Sequence, residues 1–149
     1  KGLSSDPDPY RKKLLEPTIF VSRHFDRTGN EYYRRIERPL RLLGFDVVEG
    51  EEYAATAIPE KVKHRIEKQD IVLVVVSGVG SHEWLSAEIG YALAKSRHIV
   101  IMREQDAEFN QTILGNDYQY ISLSMEKIDV ALSDFLQELR MIGIKGLFN

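Results

Sequence analysis

Residues 70–92 read DIVLVVVSGVGSHEWLSAEIGYA. The run of six branched apolar residues at 71–76 has no polar alternation, so the strand it forms is covered on both faces. That is the habit of parallel sheets. The loop at 77–81 is built of small residues, with Gly78 and Gly80. From Trp84 the spacing turns helical and carries on to Lys95. A fully buried strand, a tight glycine-bearing loop and a helix make one half of a βαβ unit.

Working outward, the same grammar repeats. Residues 18–22 (TIFVS) are β-branched and apolar and form a buried first strand. Residues 24–29 are polar and turn-like, with Gly29-Asn30 as punctuation. Residues 31–43 form a helix through Ile36, Leu40 and Leu43, which Pro39 must kink or split. Gly44 stops it. A second strand at 45–48, a loop at 50–57 and a helix opened by Pro59 lead to the strand at 71–76. A fourth strand follows at 98–102, an irregular stretch at 103–117, a fifth strand at 118–123 and an amphipathic helix at 127–139.

Five strands alternating with helices specify an α/β, flavodoxin-like three-layer sandwich: a five-stranded parallel sheet, order 2-1-3-4-5, with helices on both faces. Its ligand crevice lies beyond the carboxyl ends of the first and third strands, where the strand order reverses. Residues 1–16, with their Ser-Ser-Asp-Pro-Asp-Pro stretch, read as a linker or a fragment of a preceding region; residues 17–149 read as the domain.

Composition narrows the function. The chain has 149 residues, 43% hydrophobic and 29% charged, which suits one domain. It has no cysteine, which excludes disulfides, thiolate zinc sites and cysteine nucleophiles. No apolar run approaches the roughly 20 residues that cross a bilayer, and no secretory pattern is present; the expectation is a cytoplasmic protein without a membrane partner. The formal net charge of −3 argues against direct nucleic-acid binding. The basic side chains cluster early, ten in residues 1–50 against four in residues 101–149. Arg34, Arg38 and Arg41 share a helical face there, with Glu31 and Glu37 placed to pair with arginines, so a solvated surface is expected. Four scattered histidines have no metal-ligand spacing.

The chemistry is expected at the crevice. Glu88 sits in the opening turns of the helix that starts there, on a stripe with Trp84, Tyr91 and Lys95, while Leu85, Ile89 and Ala92 form the stripe that faces the sheet. The helix dipole favours its charge and aromatic neighbours raise its pKa by desolvation. Ser22, Arg23 and His24 line the opposite side, where Arg23 can hold a phosphate or carboxylate. Read blandly, Glu88 decorates a helix start and the loop after the first strand is a polar loop.

Trp84-x-x-x-Glu88 after a buried strand and a Ser/Gly loop, Ile19-Phe20-Val21-Ser22, and the run Gly44-Phe45-Asp46 through Gly50, Ile58-Pro59-Glu60 and Asp70 together resemble a TIR (Toll/interleukin-receptor) domain of the compact prokaryotic type. The resemblance implies an NAD+ hydrolase with Glu88 as the catalytic glutamate. Ser22, Arg23, His24, Gly50, Ser81, Trp84 and Tyr91 would then bind NAD+, which is substrate; no cofactor or metal is implied. It also implies self-association through TIR–TIR contacts, with loop 50–57 of one copy completing the site of another, and an effector role in antiviral defence switched on by a sensor domain or partner upstream. Glu88-Ile89-Gly90-Tyr91-Ala92 is also similar to the glutamate motif of nucleoside 2-deoxyribosyltransferase-like proteins, which implies an N-glycosidase or transferase acting on nucleosides or nucleotides; those proteins usually carry an Asp in the loop after the third strand, where this chain has Ser77-Gly78-Val79-Gly80, so the kept Trp84 favours the TIR resemblance. A non-catalytic TIR interaction module is the third reading. In both enzyme readings an N-glycosidic bond breaks through an oxocarbenium ion that a carboxylate stabilises or attacks. NAD+ expels a neutral nicotinamide and needs no acid; a nucleoside base leaves less readily.

Overall fold

The computed structural model describes residues 17–53, 57–78, 83–107, 109 and 119–144. Five strands, β1 (Ile19–Arg23), β2 (Val47–Glu49), β3 (Ile71–Val76), β4 (His98–Glu104) and β5 (Ile121–Leu123), alternate with four helices, α1 (Arg27–Leu42), α2 (Glu60–Lys68), α3 (Glu83–Ala94) and α4 (Ile128–Ile144). The strands form one sheet in the order β2-β1-β3-β4-β5, parallel throughout. This is the flavodoxin-like sandwich that the strand–helix alternation specifies. The linker expected at 1–16 and Ser81 lie outside the described residues.

Alternate side chains of the central strands supply two cores. On one face Ile19, Val21, Ile71, Leu73 and Val75 pack against Tyr32, Ile36 and Leu40 of α1 and Ala131, Phe135 and Leu139 of α4. On the other, Phe20, Val72, Val74 and Val76 meet Val62 and Ile66 of α2 and Leu85, Ile89 and Ala92 of α3. All six β3 side chains are fully buried, each contributing about 1.5–3 kcal/mol of hydrophobic stabilisation. At the amino edge Thr18 and Asp70 clasp each other: Thr18 N–H donates to the Asp70 carboxylate and Asp70 N–H to the Thr18 hydroxyl, both at 3.0 Å. The start of β1 is thereby tied to the start of β3.

Several element ends differ from the periodicity, each for a physical reason. Helix α1 begins at Arg27, not residue 31, because Asp26 caps it by accepting from Gly29 N–H at 2.7 Å. Gly29 is not turn punctuation: a Cβ there would stand 2.1 Å from the His24 carbonyl oxygen, so only glycine lets the chain pass. Pro39 does not split α1, since it falls in the last turn, where its missing N–H forfeits one bond. Gly44, with φ of 97°, ends α1 as expected. Its N–H bonds Arg41 C=O and that of Phe45 bonds Leu40 C=O, a Schellman closure. Phe45 is thus spent on the helix end, and β2 starts only at Val47, opposite Ile19. Strand β4 runs on to Glu104, and β5 is a short edge strand. Among the described residues no helix is long and apolar enough to cross a membrane.

Candidate functional site

The strand order reverses between β1 and β3, and the site is assembled above that point. Ser22 is the penultimate residue of the fully buried β1, and its hydroxyl donates to Glu88 Oε1 from 66 residues away in sequence. Tyr53, in the loop after β2, donates its hydroxyl to Glu88 Oε2 at 2.9 Å. Gly50 is also at this carboxylate, because a Cβ there would lie 4.0 Å from Oε2 and 3.1 Å from the Phe20 ring. Glu88 is 2% exposed, and among the described residues no cation pairs with it. Burial raises its pKa from the ordinary 4.5, while the Ser22 and Tyr53 hydroxyls pull it back down. A buried carboxylate without a counter-charge is costly, and two donated hydrogen bonds offset only part of that. A group so perturbed, at the crevice where the strand order reverses, is a candidate for chemistry.

The position of Glu88 on its helix corrects the striped reading. Glu88 is buried together with Leu85, Ile89 and Ala92, on the border of the sheet-facing stripe. Residues three and four apart share a face, so Glu88 joins Leu85 and Ala92 as readily as Trp84. Tyr91 turns the other way. Its hydroxyl donates to Glu67 on α2, which pushes its pKa up to about 12, and its ring lies between Lys63 and Lys95. The second aromatic ring at Glu88 belongs to Tyr53, which sequence spacing did not single out.

Trp84 anchors an aromatic group beside the carboxylate. Its indole Nε1 donates to Arg23 C=O at 3.2 Å. The Tyr53 ring stacks on it at 5.7 Å and 22°, Phe25 meets it tilted at 5.4 Å, and His24 approaches at 6.2 Å. Burial lowers the His24 pKa from its ordinary 6.5, against the opposing pull of Asp26, and so favours the neutral imidazole. Burial, and then the Glu88 charge, raises the Tyr53 pKa, so that phenol remains a donor.

Arg23 is spent differently from the sequence expectation of a substrate clamp. Its side chain is 6% exposed, pairs with Glu49 at 3.0 Å, bonds Asn30, and lies between the Phe25 and Tyr33 rings at 4.2 and 4.1 Å. Only its Nη1 is buried without a partner. The arginine therefore pins the end of β1 to α1 and β2. Two arginines of the basic face of α1 are paired as expected: Glu31 holds Arg34, and also Arg35, and Glu37 holds Arg41.

Glu104, which no sequence pattern singled out, fixes the loop over β3. It accepts from Gly78 N–H at 2.8 Å and from the Tyr32 hydroxyl. Gly78 has φ of 72°, a conformation that favours glycine. Glu104 also lines a cavity of about 710 Å³ at the carboxyl ends of β4 and β5, with Arg103, Tyr120 and Lys127. That cavity does not include Glu88.

Two solved structures share this architecture. One is a conserved protein from Enterococcus faecalis V583, 14% identical, with 85% of this chain and 98% of that one covered and a TM-score of 0.54. The other is the Clostridium botulinum CMP N-glycosidase BcmB, 18% identical, with 82% of this chain and 97% of that one covered and a TM-score of 0.52. At these identities the fold alone is shared. No protein-family model matches the chain, and no curated protein matches it.

Proposed function

We propose that the chain is an N-glycosidase that releases the base from a nucleoside or nucleotide, with Glu88 as the group that meets the sugar. The observation that carries this is the Glu88 carboxylate itself: buried, uncompensated by any described cation, held at both oxygens by hydroxyls, and set at the sheet's reversal point beside a tryptophan face. The shared fold with a CMP N-glycosidase supports it. The bond between C1′ and the base nitrogen breaks with its electron pair leaving on the base, which takes up a proton. Glu88 attacks or shields the oxocarbenium carbon from the opposite side. Water then bonds to C1′, either directly or by splitting the Glu88 ester, and gives up the proton that the base takes, leaving the free sugar and the carboxylate. Trp84 offers a π-face on which a base can stack.

One observation favours NAD+ as the alternative substrate. The partners of Glu88 are hydroxyls, Tyr53 holds its proton firmly, and burial shifts His24 toward its neutral form, so among the described residues no strong acid stands ready to protonate a departing base. Nicotinamide leaves without one. On that reading, activity depends on self-association, with loop 50–57 of a second copy at the site, and the antiviral-effector role implied by the TIR resemblance goes with it.

The test is to incubate the protein, dilute and under assembling conditions, with CMP, dCMP, purine nucleotides and NAD+, and to follow base release by chromatography. Loss of base from CMP or dCMP, abolished in Glu88→Gln, supports the nucleotide reading. Release of nicotinamide alone transfers it to NAD+. Silence from every substrate in both states overturns the enzyme reading.

A further inference from the structure

The cavity of about 710 Å³ at the carboxyl ends of β4 and β5 carries charges of both signs in its wall. Two of its charged residues are committed to the fold. Arg103 donates from Nε and Nη2 to Ala107 C=O at 2.9 and 2.7 Å, and its guanidinium lies over the Tyr120 ring at 5.0 Å. Glu104 holds Gly78 N–H and the Tyr32 hydroxyl. The other three, Lys127, Asp106 and Asp134, form no ion pair among the described residues. Tyr120, in the same wall, has a buried hydroxyl without a partner, a rarity in folded proteins. A concave site with a few convergent polar groups left open is the form that a small-molecule site takes.

Helix α4 sets the spacing of the open charges. Lys127 stands one residue before the helix, in a turn closed by its N–H on the Ser124 hydroxyl at 3.2 Å. Val130 and Asp134 follow at i+3 and i+7, on the same face, and both line the cavity. Lys127 and Asp134 are two turns apart, about 10 Å along the helix axis, too far to neutralise each other. Val130, 51% exposed, lies between them as an apolar step. The start of the helix favours an anion at the Lys127 end. Asp134 favours a cation at the other end, and Asp106, two residues beyond β4, adds a second carboxylate. Among the described residues no three carboxylates or imidazoles converge as metal ligands, so the cation these carboxylates suit is an organic one.

We infer that this cavity binds an elongated zwitterion: a small molecule with a carboxylate at one end, a run of methylenes and an ammonium at the other, as an ω-amino acid presents them. The carboxylate seats against Lys127, the methylenes cross Val130, and the ammonium meets Asp134 and Asp106. The site is separate from the Glu88 crevice and does not depend on the N-glycosidase reading. Glu104, in its wall, also holds the loop between β3 and α3, so the occupant sits beside the tether of the segment that leads to Glu88.

The probe is 6-aminohexanoate, titrated calorimetrically into the whole chain, with hexanoate and hexylamine as compounds that carry one of its charges each. It is expected to bind about fivefold more tightly than either. Lys127→Met should weaken binding of 6-aminohexanoate and hexanoate and leave hexylamine unchanged. Asp134→Asn should weaken binding of 6-aminohexanoate and hexylamine and leave hexanoate unchanged. Both side chains are exposed, so neither change removes a core contact. Glu88→Gln should bind 6-aminohexanoate as wild type does. Loss of binding in Glu88→Gln, with wild-type affinity in the other two variants, overturns the inference, because the probe then occupies the other crevice. Equal affinity for the three compounds overturns it too, and so does the absence of any binding of 6-aminohexanoate.

Discussion

Tyr53 and Glu88, 35 residues apart in sequence, are joined by a 2.9 Å hydrogen bond from the phenol to Oε2, and the same phenol ring is stacked on Trp84 one helical turn before Glu88. One side chain therefore covers the carboxylate and the aromatic face at once. The loop after β2 is thereby part of the site and not merely its border.

The first consequence concerns pH. On the N-glycosidase reading Glu88 acts as its anion, and burial raises its pKa, so activity is expected to rise with pH through a limb lying above 4.5. The Tyr53 hydroxyl donates to the charged form and lowers that pKa. In Tyr53→Phe the acid limb of the kcat/KM profile moves to higher pH. A limb that stays in place means the phenol does not bond the ionised carboxylate.

Glu88→Gln is expected to lose activity on the order of a thousandfold, as when a group made for the transition state is removed. It should at the same time stabilise the fold. A carboxyl whose folded pKa lies above its unfolded value contributes its full stability below about pH 4.5, and that contribution is lost as pH rises through the folded pKa. The glutamine variant escapes this loss. Its Tm should exceed that of wild type at pH 7, with the difference closing toward pH 4. Thermal melts across that range check both signs.

Gly29→Ala should destabilise the protein by about 3 kcal/mol, because its Cβ would meet the His24 carbonyl oxygen at 2.1 Å and neither backbone can yield cheaply. Asp26→Ala, which removes only the cap on the same turn, should cost about 1 kcal/mol. Urea unfolding of the two variants tests the ranking. Equal losses would mean that the first turn of α1 adjusts to the extra methyl.

Glu104→Ala leaves Gly78 N–H and the Tyr32 hydroxyl without their acceptor. A stability loss of about 1–3 kcal/mol is expected from the abandoned donors. The loop between β3 and α3 also loses its tether, so kcat/KM should fall in variants assayed well below their Tm. Full activity at such temperatures would show that Gly78 is held by its own backbone.

The sheet was legible in the sequence because its information is local. Six branched residues at 71–76 can only be buried on both faces, and alternation with helices then leaves few strand orders. Glycine at 44 ends α1 by backbone geometry alone. Asp26 and Gly29 were misread as a loop because a cap and a close approach to the His24 carbonyl look, in one dimension, like turn residues. Glu88 was found from its place after the β3 loop, but its face was not, since a residue between two stripes belongs to whichever one the packing buries. Tyr53 and Glu104 were missed altogether. Each acts on a partner tens of residues away.

What the chain dictates by itself is therefore the set of elements, their parallel order and the edge at which chemistry can occur, since hydrophobic period and backbone permission are properties of neighbours in sequence. Which hydroxyls meet the carboxylate, which ring lies on Trp84, and whether Arg23 faces a ligand or Glu49 was decided only in three dimensions. Hydrogen bonds and ring contacts act over a few ångströms, and only the folded sheet brings β1, the loop after β2 and α3 that close.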